Sequence, residues 1–269
     1  MSAAAEIYDV AYYQRLFELE TRHWWHLSMR RIAAALLRSY SGFAAGAAVL
    51  DAGCGTGASL AWARDELRAS SIAGIDISPH AVDFCLRRGL DQVRTGSVLE
   101  LPFDDGRFDV VLCWDVLQHL PTDGGDVRAL RELRRVLKPG GAAILRANSR
   151  LGMWQQDDAK DADFLRYTLP ELTAHVSEAG LEPYRATYAN SLPALHASAR
   201  RWMQRRHRAA ETARVYEGLT IRDTAAEAPR LNALLQRVMA GEAWYLAAPG
   251  RHLPFGHTTF CVAVRPGRV

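Results

Sequence analysis

Nine residues, VLDAGCGTG at positions 49–57, constrain this chain more than any other stretch. A short apolar run drops into three glycines at two-residue spacing, and helix-forming sequence, ASLAWARDELRA, follows at once. Glycine tolerates left-handed backbone and lets other atoms come close to the main chain. The run therefore reads as a strand, a tight turn and a helix whose first amides are free. Similar units follow. SIAGIDIS precedes PHAVDFCLRRG, in which Pro79 suits a helix start. DQVRTGSV leads through a loop to RFDVVLCWDV, apolar enough for a strand buried on both faces. DVRALRELRRVL has helical spacing, KPGG reads as a stop and turn, and AAILRAN as the next strand. Strands alternating with helices predict an α/β fold with a parallel, doubly wound sheet. Ligands of such sheets sit at the carboxyl ends of the central strands, where the glycine turn falls.

On either side the pattern changes. Residues 6–40 read as helical and carry a dense aromatic patch, LETRHWWHLSMRRIAAALL. Beyond LPELTAHVSEAG, a helix with Gly180 just past its end, LEPYRATYA and HTTFCVAVRP read as the last two strands. Residues 190–256 between them are too many for a plain connection. They hold two helix-like stretches, ASARRWMQRRHRAAETARVYEGL and RLNALLQRVMAGEAWYL, which predict a helical cap inserted before the last strand.

Bulk properties exclude several classes. With 33 Lys and Arg against 30 Asp and Glu, the net charge of +3 gives little support to a general polyanion-binding role. No apolar run has the length of a membrane span, and the opening MSAAAEIYDV lacks the basic-then-apolar order of a signal peptide. Cys54, Cys85, Cys113 and Cys261 show no C-x-x-C spacing, so neither a zinc site nor a disulfide framework is expected. These features predict a reduced, soluble, cytoplasmic protein.

The spacing of the glycines bears on the ligand. A dinucleotide site prefers G-x-G-x-x-G, whereas here it is G-x-G-x-G with Asp51 directly ahead. An acid in that place repels phosphate and favours a cationic ligand. Asp76, at the end of the second strand, has the position of an acid that binds two ribose hydroxyls, and Ile77 could pack on an adenine face.

With these residues the sequence resembles the class I S-adenosylmethionine-dependent methyltransferases, especially those with small-molecule acceptors. VLDAGCGTG, GIDIS, GSVLELPF, FDVVLCWDVLQHL and LRRVLKPGGAAIL carry the resemblance, over about residues 47–147. It implies a Rossmann-like seven-stranded sheet with an antiparallel last strand, in one domain. Residues 1–45 would form an N-terminal helical lid, 46–189 the cofactor-binding core, 190–256 the cap and 257–269 the last strand. It implies S-adenosylmethionine as cofactor, with Asp51, Gly53, Cys54, Gly55 and Gly57 along its methionine and ribose, and Asp76 on the ribose hydroxyls. Ser97 and Val98 would flank the adenine, with Ser97 where the family commonly has an acid. Cys113 and Trp114 would lie near the methionine amino group. ELETRHWWHLSMRR and LPFGHTTFCVAV also look like a largely bacterial subset with an E-x-x-H-W-W opening, found in sugar and secondary-metabolite settings.

Methyl transfer to a hydroxyl needs a base. His119 in DVLQHL is the candidate, since its free pKa suits work near neutrality; otherwise it anchors the following helix. Asp115 could orient the acceptor or merely cap that helix. Asp115 and Asn148 give too few oxygen ligands for a magnesium site, so no metal is expected. His23, Trp25 and His26 are candidate acceptor-binding residues, and Arg30 could pair with the methionine carboxylate. Arg200, Arg201, Arg205, Arg206, His207 and Arg208 read as a solvated face, or as a contact to an anionic or carrier-linked acceptor. Nucleic acid is disfavoured because CWDV stands where DNA amino-methylating enzymes carry an N-P-P-Y-type motif. The leading expectation is methyl transfer to oxygen of a small molecule. The rivals are N- or C-methylation, a cofactor-dependent cyclisation or rearrangement without transfer, and a nicotinamide-dependent reductase.

Overall fold

The structure, a computed structural model, describes residues 9–40, 45–150, 165–195 and 223–267. Two helices open it: α1, Val10–Leu19, with Asp9 as N-cap, and α2, Trp24–Arg38, capped by His23. A core of alternating strands and helices follows: β1, Ala48–Ala52; α3, Ala58–Asp65; β2, Ser71–Asp76; α4, Pro79–Arg87; β3, Val93–Thr95; β4, Phe108–Trp114; α5, Gly125–Val136; and β5, Leu137–Asn148. The remaining elements are α6, Leu169–Glu178; β6, Glu182–Ala189; α7, Thr224–Glu227; α8, Pro229–Ala247; and β7, Thr258–Val264.

The seven strands form one sheet in the order β3-β2-β1-β4-β5-β7-β6. β1 to β5 pair in parallel, whereas β7 runs antiparallel to both β5 and β6. This is the Rossmann-like, doubly wound arrangement expected from the sequence. Strand order reverses between β1 and β4, so the crevice at the carboxyl end of β1 is a topological switch point.

Both faces of the sheet are covered, which is why its central strands are apolar throughout. On one face α5 and α6 pack Leu130, Leu133 and Leu172 against Val111, Cys113 and Leu145. On the other, Met29, Ile32 and Leu36 of α2 and Met239, Ala243 and Leu246 of α8 meet Leu112, Ile144 and Phe260. The described part of the 190–256 insertion thus stands beside α2 as a layer on the sheet. Asn232 fixes the join: its amide oxygen accepts from Trp24 N at 2.9 Å and its nitrogen donates to Arg22 O at 3.1 Å. The stretch 197–219, including the arginines at 200, 201, 205, 206 and 208, lies outside the described residues.

One local reading changes. β5 is bounded as Leu137–Asn148, but its register with β4 jumps from Phe108–Leu137 to Val110–Ala142, so KPGG bulges out of that ladder within the strand's bounds. Gly140, at φ +77°, donates to Arg265 O at 2.8 Å, and Arg265 N donates to Gly141 O at 2.9 Å. The chain after β7 therefore satisfies the backbone that a turn would have satisfied internally. Among the described residues, no helix is long and apolar enough to cross a membrane.

Candidate active site

The glycine loop closes β1 onto β2. The amides of Gly53 and Cys54 both donate to Ile75 O, at 2.8 and 2.9 Å, and Gly55 N donates to an Asp76 carboxylate oxygen at 2.9 Å. The other Asp76 oxygen accepts Ser78 N at 3.0 Å. All three loop glycines have positive φ, but for different neighbours. A Cβ on Gly53 would lie 2.1 Å from Val116 Cγ2, and one on Gly57 would lie 2.6 Å from Leu90 Cδ1. A Cβ on Gly55 would meet only Leu16 Cδ2 of α1, at an ordinary contact distance of 3.8 Å. Packing of the protein against itself thus dictates Gly53 and Gly57, whereas a side chain at Gly55 is opposed by its backbone conformation, φ +51°. Cys54 turns its thiol into a small cluster with Leu60, Cys85 and Leu90.

Acid gathers around the loop. Asp51 is buried on β1, and burial pushes its carboxyl up to about 8; Glu20 and Asp76 add to the rise and Arg146 opposes it. Burial also raises Asp76, against the backbone bonds of Ser78, Gly55 and Ile77. Glu20 is raised in the same way, with the Thr56 hydroxyl and Arg88 pulling it down. Asp51 thus feels both Glu20 and Asp76, and a cation beside it would favour its ionised form. Beside Asp76 the Ile77 side chain is 77 % exposed. Across the crevice, the Ser97 hydroxyl accepts Leu99 N at 3.1 Å and Val98 is buried.

The other wall is built by residues distant in the chain. Asp115, at φ +58°, follows β4 directly. Its carboxylate is gripped by Arg146 from the end of β5, with Nε donating at 3.2 Å and Nη2 to the second oxygen. The guanidinium is stacked between Trp25 and Trp114, 4.7 and 4.9 Å from the ring centroids. Asp115 is therefore a paired carboxylate, and Arg146 is a site residue the sequence reading missed. Trp114 also packs on Trp62 at 5.6 Å, and its buried indole nitrogen has no hydrogen-bond partner among the described residues. Cys113, by contrast, is fully buried on the opposite face, among the α5 and α6 side chains.

The aromatic N-terminal patch meets this wall. His23 accepts Trp25 N at 3.3 Å, which makes it the cap of α2. His26 is buried edge-on to Trp25 at 4.9 Å, and its Nε2 has no partner among the described residues. Burial and the nearby Arg146 hold its pKa well below the usual imidazole value. Arg30 donates to Glu20 O at 2.6 Å. Glu20, the acid of E-x-x-H-W-W, reaches the glycine loop through the Thr56 hydroxyl and also meets Arg88 at 3.2 Å. Arg88 further donates to Thr56 O at 2.6 Å and stacks on Phe17 at 4.1 Å, which ties α1 over the loop. The sequence signal for Glu20 was its place in that motif; for Arg88 and Arg146 there was none.

His119 lies on the single helical turn Leu117–His119 after β4, whose Val116 is the residue packed on Gly53. The histidine is exposed, yet burial of its ring lowers its pKa while Asp115 pulls the other way. Gln118 Oε1 accepts Asn148 N at 2.9 Å, so the amide nitrogen faces His119 Nε2, at 3.4 Å. An amide NH₂ only donates, so His119 Nε2 carries the lone pair. Beneath this turn, Tyr167 donates to Asp126, which also meets His175 at 2.7 Å, and Leu165 N donates to Gln118 O at 2.9 Å.

Comparison with known proteins places this geometry. Residues 50–145 match a family model described as a methyltransferase domain. A phthiotriol/phenolphthiotriol dimycocerosates methyltransferase of Mycobacterium tuberculosis is 37% identical over 119 residues, 42% of this chain and 43% of that protein. A ubiquinone biosynthesis O-methyltransferase of Xanthomonas oryzae is 33% identical over 140 residues, 50% of this chain and 56% of that one. The chain thus spans about half the length of the curated relatives it matches. Among solved structures, the methyltransferase in a complex with the Trm112 methyltransferase activator of Haloferax volcanii has a TM-score of 0.61 at 21% identity, covering 96% of both chains; it shares the fold.

Proposed function

We propose that the chain is a class I S-adenosylmethionine-dependent methyltransferase that transfers a methyl group from that cofactor to a hydroxyl of a small-molecule acceptor, with His119 as the base; the methyltransferase-domain match over residues 50–145 supports this reading. The observation that carries this reading is the contact of Val116 with Gly53. It sets the His119 turn directly against the glycine loop, so base and cofactor crevice share one wall.

The residues present fit the cofactor. The acidic cluster around Asp51 suits its ammonium and sulfonium charges, the Asp76 carboxylate suits the ribose diol, and exposed Ile77 suits an adenine face. The unpartnered buried Nε2 of His26, beside Arg30 and Arg146, is a polar group still lacking a partner. When bound, S-adenosylmethionine supplies an electrophilic methyl and departs as a neutral thioether.

The protein's own work is alignment, exclusion of water and removal of one proton. His119 is neutral at pH 7, because its pKa lies below the ordinary value, and its Nε2 lone pair is available to a hydroxyl that takes the place of the Gln118 amide. Asp115 keeps its proton-accepting oxygens on Arg146, so its role is to hold that guanidinium and the two tryptophans in place. Trp25, His26 and Arg146 then form the acceptor wall, one that suits a flat or polar small molecule. The O-methyltransferase among the relatives supports oxygen as the accepting atom.

The test is calorimetric titration with S-adenosylmethionine, S-adenosylhomocysteine and NADH, followed by detection of S-adenosylhomocysteine on incubation with phenolic and sugar acceptors. Micromolar binding of the first two ligands alone, with product formed, is the expected result. Tight cofactor binding with acceptor consumed and no S-adenosylhomocysteine would replace transfer by a rearrangement.

A further inference from the structure

We infer that Cys54 and Cys85 form a reversible oxidation site that disables the glycine loop. Cys54 is the residue between the first two loop glycines, and Cys85 faces it from α4 with the two sulfurs 3.8 Å apart. The Cys85 thiol also donates to Gly55 O at 3.2 Å. Gly55 is therefore held from both sides, by Cys85 at its carbonyl and by Asp76 at its amide. A disulfide needs the sulfurs at about 2.05 Å, so forming one draws Cys54 toward α4 and removes the donor from Gly55.

The pair is specific. Cys113 and Cys261 both register with Leu145, from opposite sides of β5. Two strand spacings, roughly 9.6 Å, separate them, which is too far to bridge. Of the reactive pair, Cys54 is 4 % exposed and Cys85 fully buried, so Cys54 is the thiol an oxidant meets first.

The oxidant class is a hydroperoxide. The Cys54 sulfur attacks a peroxide oxygen, the O–O bond breaks, and a sulfenic acid and water form. The Cys85 sulfur then displaces that hydroxyl as a second water and closes the S–S bond. Two thiols lose two electrons and two protons, and one hydrogen peroxide becomes two waters. The mutual thiol bond, burial and the charges of Asp51 and Asp76 all disfavour the Cys54 thiolate, so the reaction is slow and speeds up with rising pH.

The experiment exposes the reduced full chain to hydrogen peroxide and reads intact mass, peptide maps and S-adenosylhomocysteine affinity by calorimetry, before and after dithiothreitol. The affinity arm rests on the cofactor reading proposed above; the mass arm does not. The expected result is loss of two hydrogens, a linked Cys54–Cys85 peptide, affinity weakened by about tenfold or more, and full return on reduction. Cys85→Ser keeps a donor for Gly55 and should give an unlinked, oxygenated Cys54. No linked peptide after both thiols have been challenged, or a linked protein with unchanged affinity, overturns the inference. A reduced protein that fails to bind S-adenosylhomocysteine overturns the cofactor reading instead, and the peptide map still decides the thiol pair.

Discussion

The two walls of the crevice differ in how their parts are spread along the chain. The proposed cofactor wall, from Asp51 through the glycines to Asp76, is one strand-turn-helix-strand unit, joined by backbone amides that the turn itself presents. The proposed acceptor wall takes Trp25 from α2, Asp115 and His119 from the turn after β4, and Arg146 from β5, joined by an ion pair and ring stacking. A wall made of adjacent backbone keeps its shape when one side chain changes. A wall made of stacked side chains does not, and that is where specificity for different acceptors can vary within one fold.

The sharpest way to break this comparison is at His119. If it is the base, His119→Ala should lower kcat about 10²–10⁴-fold while leaving S-adenosylhomocysteine affinity unchanged. Steady-state rates with a working acceptor, set beside calorimetry, check both halves of that statement. A loss of affinity would mean that the two walls are not separable. Next in size is Asp76→Ala on the cofactor wall. Charge-assisted hydrogen bonds contribute roughly 1.5–3 kcal/mol apiece, so removing a carboxylate that holds a diol should weaken binding by about two orders of magnitude. Turnover at saturating cofactor should change far less.

How much of this could be read from the chain follows the same division. The strand, the glycine turn and Asp76 at the end of β2 were legible because a turn that must present amides at one spot leaves its requirement in consecutive letters. Even there the physical reason was only partly legible. Gly53 and Gly57 avoid collisions with Val116 and Leu90, which no local reading could supply. On the other wall, Trp25, His26 and His119 stood out by residue type, but Arg146 sat unnoticed in AAILRAN, an ordinary buried strand. Its role exists only because Trp25 and Trp114 close on it from distant segments. Arg88 is invisible for the same reason, since its partners Glu20, Phe17 and Thr56 come from α1 and the loop.

Gly53 is where the walls touch, and a smaller effect there sharpens the contrast. Gly53→Ala puts a methyl 2.1 Å from Val116 Cγ2 at φ +98°, so the clash and the backbone both oppose it. The expected cost is about 1–3 kcal/mol of stability, the usual range for overpacking, read from chemical denaturation. In a Val116→Ala background the cost should shrink, because the colliding atom is gone and only the backbone strain remains. Equal costs in both backgrounds would mean that the His119 turn does not rest on the loop.

The smallest effect when counted per pH unit, and the most diagnostic of the acidic cluster, is its pH dependence. Asp51 has an ordinary value of 3.8, raised in the fold to about 8. The folded chain therefore holds one more proton there than the unfolded chain between those limits. Stability from this group is fully present below pH 4 and declines as pH rises to about 8, after which it levels. A cationic ligand beside Asp51 reverses the preference, since it favours the ionised carboxylate. Below pH 8 binding must then expel a proton, and affinity should rise with pH by at most about tenfold per unit until it flattens near 8. Calorimetry at pH 7 in buffers of differing ionisation enthalpy should find up to one proton released. The release should be larger with S-adenosylmethionine than with S-adenosylhomocysteine, which lacks the sulfonium charge. Equal release with both ligands would assign the coupling to their shared ammonium group, and none with either would remove Asp51 from the cofactor wall.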